Sequence, residues 1–535
     1  MAAPWLNGCP PFALIWWVSH PTTHLWKPQS TSQTMATPGS TSKYNLLDLP
    51  IEVLSKVFET LCLHCQTDPS TVADYDTSGA WESKRSLARI CRACHTTRSI
   101  AQPILFHYYA SGNMQKLTGF REILSKPEED DLLPVFLCSV IRKPMLAGAV
   151  RVLSLVPGTL PNGITQDIAC LLIEESRRIR LTPQIDEVPI LPEVCRTGTA
   201  GEVYSGVHLW LQGLAISICP NIEQLHIDYR PPSWLPILAP RLVLDRLKIL
   251  AFNTHGQTPQ FYAPPIAQLL NVSPNLRCLE ASNIDFNFEL IFEIKGVKKL
   301  SINGPTSGIL RVLLSGCSSL EDLEYYQDPF LPRIANEADF EPVRYTLRRL
   351  CFSVVPHAAY PGQSRYGPKP TSRDTSYFTM LAVLDKVDCG VGLSLRNFDR
   401  LEILEIDYFL LYGRARDFKD GEASPQPRLP TILPDSIRIL HIGFVTDWNH
   451  MCCELIALAS DIKAGGFPYL ATIRVDVVTS ACIFQFYSAV EVEMSLTKVD
   501  FVLGLCPTSS VPRGMLPGRP AGADVPPDGM VNYVL

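Results

Sequence analysis

Cysteines spaced to hold a metal ion are the most chemically suggestive feature of this sequence. Cys62 and Cys65 form one C-x-x-C pair, and Cys91 and Cys94 form another. Four thiolates grouped in this way can hold a structural zinc ion, and His95, beside the second pair, is a further ligand type. The 25 residues between the pairs are long for a zinc ribbon. Both pairs also fall on apolar faces of predicted helices, where cysteine serves as a small hydrophobe. Packing is the simpler reading, and it leaves no metal. The string Cys91-Arg92-Ala93-Cys94-His95 also matches the haem-attachment pattern C-x-x-C-H. Covalent haem attachment needs an export or mitochondrial route, which the N-terminal residues do not advertise.

Other chemistry is sparse. No phosphate-cradling G-x-x-x-x-G-K-[ST], no H-E-x-x-H and no G-x-S-x-G elbow occurs. The run Glu128-Glu129-Asp130-Asp131 reads as a solvated loop, because adjacent carboxylates do not converge on one reacting atom. The histidines are scattered, and the sequence alone identifies none in a catalytic constellation with a nucleophile. A net charge of −6 offers no general attraction for nucleic acid or an anionic membrane. Seventeen cysteines lie in apolar segments such as Leu214–Cys219 and Leu313–Cys317, so they read as reduced, buried thiols. Past the short apolar stretch Pro11–Val18, no run reaches the ~18 apolar residues that a membrane span requires. The expectation is a soluble protein of the cytoplasm, the nucleus or both, with no catalytic residue, no cofactor and no metal.

The elements that carry these residues begin near Tyr44. Asp48 is placed to accept the free N–H groups of a first helical turn, and Pro50 suits a first-turn position. Ile51, Leu54, Val57, Phe58 and Leu61 then recur at spacings of three and four, which predicts one apolar helical stripe. Leu63–Lys84 is polar and reads as a surface loop. Leu87, Ile90, Cys91 and Cys94 share a second helical face, followed by Ile100, Pro103, Ile104, Leu105 and Phe106. Such short helices are marginal alone and must pack together, at the least as a cap on the downstream chain.

Leu49-Pro50-Ile51-Glu52-Val53-Leu54, Val57-Phe58, Leu61, Leu87-Ala88-Arg89-Ile90-Cys91-Arg92 and Ala101-Gln102-Pro103-Ile104-Leu105-Phe106 together resemble an F-box. The resemblance implies docking onto the small adaptor subunit of an SCF (cullin-RING) ubiquitin ligase through Leu49, Pro50, Ile51, Val53, Leu54, Phe58, Leu87 and Leu105. The loop Leu63–Lys84 is longer than is usual in that family, and Cys94 stands where an aromatic residue is common.

Downstream, a pattern of apolar, two residues, apolar, one residue, apolar recurs. It is carried by Val150/Leu153/Leu155, Ile222/Leu225/Ile227, Leu247/Leu250/Phe252, Leu276/Leu279/Ala281 and Val297/Leu300/Ile302. It continues in Leu320/Leu323/Tyr325, Leu347/Leu350/Phe352, Leu401/Leu404/Ile406, Ile437/Leu440/Ile442 and Leu470/Ile473/Val475. The six copies from Ile222 to Leu347 step by 25, 29, 21, 23 and 27 residues, inside the period of about 20–29 of leucine-rich repeats. Apolar runs at Ile266–Val272 and Ile309–Leu314, each closed by a turn signal, predict a helix before the strand. Units this small cannot bury their own apolar face and must stack on neighbours.

The predicted fold is α/β: a short helical F-box module, then an irregular leucine-rich-repeat solenoid with a curved, mainly parallel sheet and outer helices, between disordered termini. Its parts are a tail over 1–43, the module over 44–110, a linking helical segment and first divergent repeat over 111–200, the solenoid over 201–503 and a tail over 504–535. Insertions interrupt the solenoid at 353–396 and Gly421–Arg428, either as binding loops or as tolerated length. The implied function is a non-catalytic receptor: the F-box docks the adaptor subunit and cullin, and the solenoid face holds a protein substrate. An interaction scaffold unconnected to a ligase is the alternative. Glu223, Glu280, Glu321, Arg348 and Glu405 alternate along the predicted strands and hint at a basic partner or simply a solvated face.

Overall fold

The computed structural model describes residues 46–66, 78–110, 132–155, 165–181, 201–229, 238–254, 264–282, 294–303, 307–327, 335–353, 393–412, 428–477 and 487–505. The predicted N-terminal tail, the C-terminal tail after Leu505, the acidic run at 128–131 and most of the 353–396 and Gly421–Arg428 insertions lie outside these residues.

The chain opens with a 3-10 turn, Leu46–Asp48, and four helices: α1 Ile51–Glu59, α2 Leu63–Gln66, α3 Ser78–Ala93 and α4 His95–Leu105. Asp48 is not the cap. The Pro50 carbonyl accepts from Val53 and Leu54 N–H at 3.0 Å, and no side chain caps α1. The segment read as one loop from Leu63 to Lys84 contains α2 and the first turns of α3. Its Ser78-Gly79 reads as a turn signal, but Ala80, Glu82 and Lys84 are good helix formers and extend the helix that Leu87 anchors.

Twelve strands come next, all parallel and ordered in the sheet as in the chain, from β1 to β12. They are β1 Tyr108–Ala110, β2 Val152–Leu155, β3 Gln224–Tyr229, β4 Ile249–Thr254, β5 Cys278–Ser282 and β6 Lys299–Asn303. The rest are β7 Asp322–Tyr326, β8 Arg349–Ser353, β9 Ile403–Asp407, β10 Ile439–Val445, β11 Thr472–Val477 and β12 Asp500–Leu505. The sheet is open, and each strand pairs only with its neighbours in sequence, the organisation of a solenoid.

All ten predicted triplets are buried, and each places its last two members on a strand, from β2 to β11. Their middle residues form one rung after another: Leu153, Leu225, Leu250, Leu279, Leu300, Leu323, Leu350, Leu404, Leu440 and Ile473 stand in register. Tyr109 and Phe501 extend the row to β1 and β12. The triplet pattern misses those two end strands for a local reason. Counted along the sequence, the triplet centred on Tyr109 has Ser111 as its third residue, and the one centred on Phe501 has Lys498 as its first. Strand β12 also runs to Leu505, two residues into the stretch predicted as tail.

Helices cross between the strands on the core side. They are α5 Leu133–Arg142, α6 Pro144–Ala147, α7 Gln166–Arg178, α8 Gly201–Ile218, α9 Pro264–Asn271 and α10 Ser307–Ser315. Further on come α11 Glu337–Phe340, α12 Tyr408–Tyr412, α13 Leu429–Ile432, α14 Trp448–Lys463 and α15 Tyr487–Ser495. The longest of the later helices, α14, buries Trp448, Met451, Cys452, Leu455, Leu458 and Ala459 along one stripe. Gly465, at φ 96°, supplies the left-handed residue that turns the chain out of it. The turn asparagines tie each unit to the one before: the Asn221 amide donates to the Gly148 carbonyl at 2.7 Å, and Asn275 to Asp245 at 2.8 Å. Of the twelve described cysteines, eight are buried and none is in a disulfide. Burial pushes the Cys317 thiol up to about 12, which suits inert packing. No helix among the described residues is long and apolar enough to cross a membrane.

Because every unit rests on the same inward row, Leu323→Ala, at the centre of the sheet and fully buried, is expected to lower stability by about 2–5 kcal/mol. Leu496→Ala, 65% exposed on the surface, should change it by less than about 0.5 kcal/mol. Urea unfolding midpoints check the contrast.

Candidate functional site

The helical module has its own small interior. Leu54, Phe58 and Cys62 pack against Leu87 and Cys91 of α3, Ile100, Ala101 and Ile104 of α4, and then Tyr108 and Val152 of the sheet. The module therefore packs on the first two strands, on the face opposite the main core, as well as forming a unit. Its hinge between α3 and α4 is built by Cys94, whose sulfur accepts from the Thr97 N–H at 3.4 Å while Thr97 Oγ1 accepts from the Cys94 N–H at 3.3 Å.

That interior divides the sequence-selected docking residues. Leu54, Phe58 and Leu87 are buried in the module, and Leu105 is half-buried against it. Leu49, Pro50, Ile51 and Val53 face outward. Leu47 and Val57, which the pattern had only grouped with the opening run and the stripe, join them. Leu47, Leu49, Ile51, Val53 and Val57 are 40–57% exposed, and they are five of the twelve large apolar side chains that are exposed among the described residues. Five such residues within one opening turn and helix form a concentration that solvent does not favour. Covering each is worth about 1.5–3 kcal/mol at full burial.

The second candidate surface is the sheet face opposite the core. Glu280, Ser301, Glu324, Cys351, Glu405, His441 and Arg474 stand side by side on consecutive strands. Lys299, Asp322 and Arg349 form the parallel row two residues earlier. Arg349 reaches Glu324 at 2.6 Å, Glu405 at 2.9 Å and Asp322 at 3.1 Å, while Lys299 reaches Glu324 at 3.1 Å. His441 and Arg474 hold Asp476 at 2.8 and 3.1 Å. A side chain at position 504, opposite Asp476 on β12, would press on that carboxylate and force it to move away from His441 and Arg474. Of the polar residues singled out in sequence, Glu280 and Glu405 lie in this band. Glu223, Glu321 and Arg348 lie one step before the strands in a separate ladder, where Lys248 meets Glu223 and Lys298 meets Glu321, at 2.8 and 2.7 Å.

Burial by itself would raise the Glu324 carboxyl, but the Lys299 charge and the Arg349 hydrogen bond bring it down to about 2. Its neighbour Asp322 goes the other way, pushed up by burial against Arg349 and Lys299. Burial of Asp476 is likewise outweighed, by His441 and Arg474, and its carboxyl is lowered.

A cluster of metal-ligand type also emerges, though not the one that the two C-x-x-C pairs suggest. Cys91 is buried in the module and Cys94 caps α4, whereas Cys62 and Cys65 meet His64 and His107, with all four donor atoms within 4.8 Å of one another. The Cys62 thiol is pulled below its ordinary range, first by its hydrogen bond with Cys65 and then by His107 and His64, against the effect of burial. Cys65 is driven up, first by its hydrogen bond with Cys62 and then by burial. Neither histidine carries a spacing signal that sequence reading could use.

The fold and these surfaces define the class: an α/β protein with a twelve-stranded open parallel sheet, packed at its first two strands against a helical module whose opening turn and first helix expose five large apolar side chains. Comparison with protein-family models finds no match, and comparison with curated proteins finds none either.

Glu324 is depressed in the folded state, so its ionic contribution is present above about pH 4.5 and is lost as the pH falls toward about 2. Glu324→Gln is therefore expected to cost on the order of 1–3 kcal/mol at pH 7 and progressively less in acid. Denaturant titrations across that range check it, and a pH-independent difference would contradict it.

Proposed function

We propose that this chain is a non-catalytic substrate receptor of an SCF-type ubiquitin ligase. In this reading 44–110 is an F-box that docks the adaptor subunit and, through it, the cullin. The parallel sheet and its helices are a leucine-rich-repeat solenoid that holds a protein substrate. One observation carries the reading: an opening turn and helix present Leu47, Leu49, Ile51, Val53 and Val57 outward from a module whose interior is already filled. A cap that served only the solenoid would have no need of so many exposed apolar residues in one short segment.

The mechanism is proximity. Docking the module on the ligase and a substrate on the sheet raises the effective concentration of substrate lysines near the ubiquitin-charged enzyme, to the millimolar range for short tethers. No residue of this chain touches the reacting bond. The two charged rows of the sheet face, with Arg474's partner Asp476, carry Glu280, Asp322, Glu324, Glu405 and Asp476 against Lys299, Arg349 and Arg474. That acidic excess favours a substrate with basic side chains over nucleic acid or an anionic membrane. Such a role belongs to the cytoplasm or nucleus.

The alternative, an interaction scaffold unconnected to a ligase, draws on a specific contact as well: Val152 of β2 lies in the module's interior, which supports a module that serves to shield the start of the sheet. The two readings separate in one experiment. Tagged full-length chain is expected to recover the adaptor and cullin from extract. Leu49→Ala/Pro50→Ala should lose them, with adaptor affinity falling at least ~30-fold for ~2 kcal/mol. Both positions are exposed, so the thermal unfolding temperature should not change. Failure of the intact chain to recover either subunit would leave the scaffold.

A further inference from the structure

We propose that Cys62, His64, Cys65 and His107 form a zinc site that fastens the helical module to the first strand of the sheet. The proposal is independent of the ligase reading: it concerns how the module is held, and either function could use it.

The geometry is that of a tetrahedral centre close to assembled. Zinc holds sulfur at about 2.3 Å and imidazole nitrogen at about 2.0–2.1 Å, so tetrahedral edges are about 3.3–3.8 Å. Cys65 Sγ lies 3.2 Å from His107 Nδ1, Cys62 Sγ lies 3.8 Å from the same nitrogen, and Cys65 Sγ lies 3.8 Å from His64 Nδ1. All four donor atoms fall within 4.8 Å of one another. Two thiolates and two neutral imidazoles are a donor set of structural zinc, and the filled site carries no net charge, which suits its partly buried position.

Packing accounts for Cys62 but not for the other three. Cys62 is fully buried in the module's interior, while Cys65 is exposed and His64 and His107 are half-buried. Helix α2, which carries His64 and Cys65, buries none of its four residues. A single turn with no buried side chain has little to hold it by propensity or packing. The Cys65 and Gln66 N–H groups both donate to the Cys62 carbonyl, at 3.0 and 3.2 Å, a tight turn that brings Cys62 and Cys65 around to one side. A metal bond gives that turn a reason to hold its shape.

His107 supplies the link to the sheet. It stands between α4 and β1, and its carbonyl accepts from Arg151 and Val152 N–H at 2.8 and 2.9 Å, at the start of the pairing of β1 with β2. Zinc would therefore join the end of α1 to the first strand across more than forty residues of chain. Closing so long a loop removes freedom from the unfolded chain, and the metal's binding energy is folding energy as well. The consequence is a fixed angle between the helical module and the sheet.

The test uses full-length protein, expressed with zinc and purified reduced without chelator. Elemental analysis is expected to find one zinc per chain. Cys65→Ser and His107→Gln should each bring zinc to background, and Cys94→Ser, in the other cysteine pair, should keep it. Chelator should lower the unfolding temperature of the intact chain but not of Cys65→Ser. Cobalt(II) added to chelator-treated intact chain should give the visible bands of a tetrahedral ion with thiolate ligands, a readout that does not depend on any variant folding. A reduced intact chain that holds no zinc and gives no such cobalt bands would overturn the proposal. So would zinc retained by both Cys65→Ser and His107→Gln. Loss of zinc from Cys94→Ser with retention in His107→Gln would overturn it in favour of the four-cysteine set.

Discussion

The inward row that runs from Tyr109 through the leucines to Ile473 and Phe501 is the interaction on which the molecule rests. A parallel sheet buries one face only if its apolar residues keep register from strand to strand, because a slip of one residue turns the whole set toward water. Here each strand meets its neighbour at the same position, so no unit has a core of its own and each completes its neighbour's. The charged rows on the other face arise from the same register. Arg349 can reach Asp322, Glu324 and Glu405 because residues on adjacent parallel strands repeat at fixed spacing.

A stack of this kind leaves an open strand at its first edge, and β1 is where the helical module sits. Tyr108 and Val152 belong to the module's interior, while Tyr109 and Leu153, one residue along, belong to the main core. The same two strands thus serve two interiors on opposite faces. That division anchors the module through its interior residues and leaves Leu47, Leu49, Ile51, Val53 and Val57 exposed. The His107 carbonyl, tied to β2, and the neighbouring cluster of sulfur and imidazole donors lie at this junction, where any change in the angle between module and sheet must be taken up.

The buried polar groups fit the same pattern. Ser353, at the end of β8, donates to Asp407 at the end of β9 at 2.7 Å, and Glu454 of α14 accepts from the Leu429 N–H at 2.5 Å, so these buried polar side chains find partners on the adjoining unit. Buried cysteines such as Cys219 and Cys317 fill the turns after α8 and α10, where burial holds the thiols protonated. A high cysteine content is here largely a property of the turns and the core.

What the sequence determined by itself was local and periodic. Leu279 and Ala281, or Leu404 and Ile406, announce a strand because alternation along one chain is enough to mark a half-buried strand, and repetition at a near-constant step is enough to imply stacking. It also marked the opening run Leu49 to Val53 as an unusual apolar beginning. Only the tertiary structure decided which way those residues point: Leu54 and Phe58 turn inward against Leu87, while Ile51, Val53 and Val57 remain outside, a choice made by how α3 and α4 pack. It also decided which donors meet. Cys91 and Cys94 resemble Cys62 and Cys65 in spacing, yet His107 is the residue that reaches that pair, because the chain's return from α4 into β1 passes beside the end of α1. Periodicity records what neighbouring residues do together, and nothing in it encodes a meeting between residues more than forty positions apart that share no pattern.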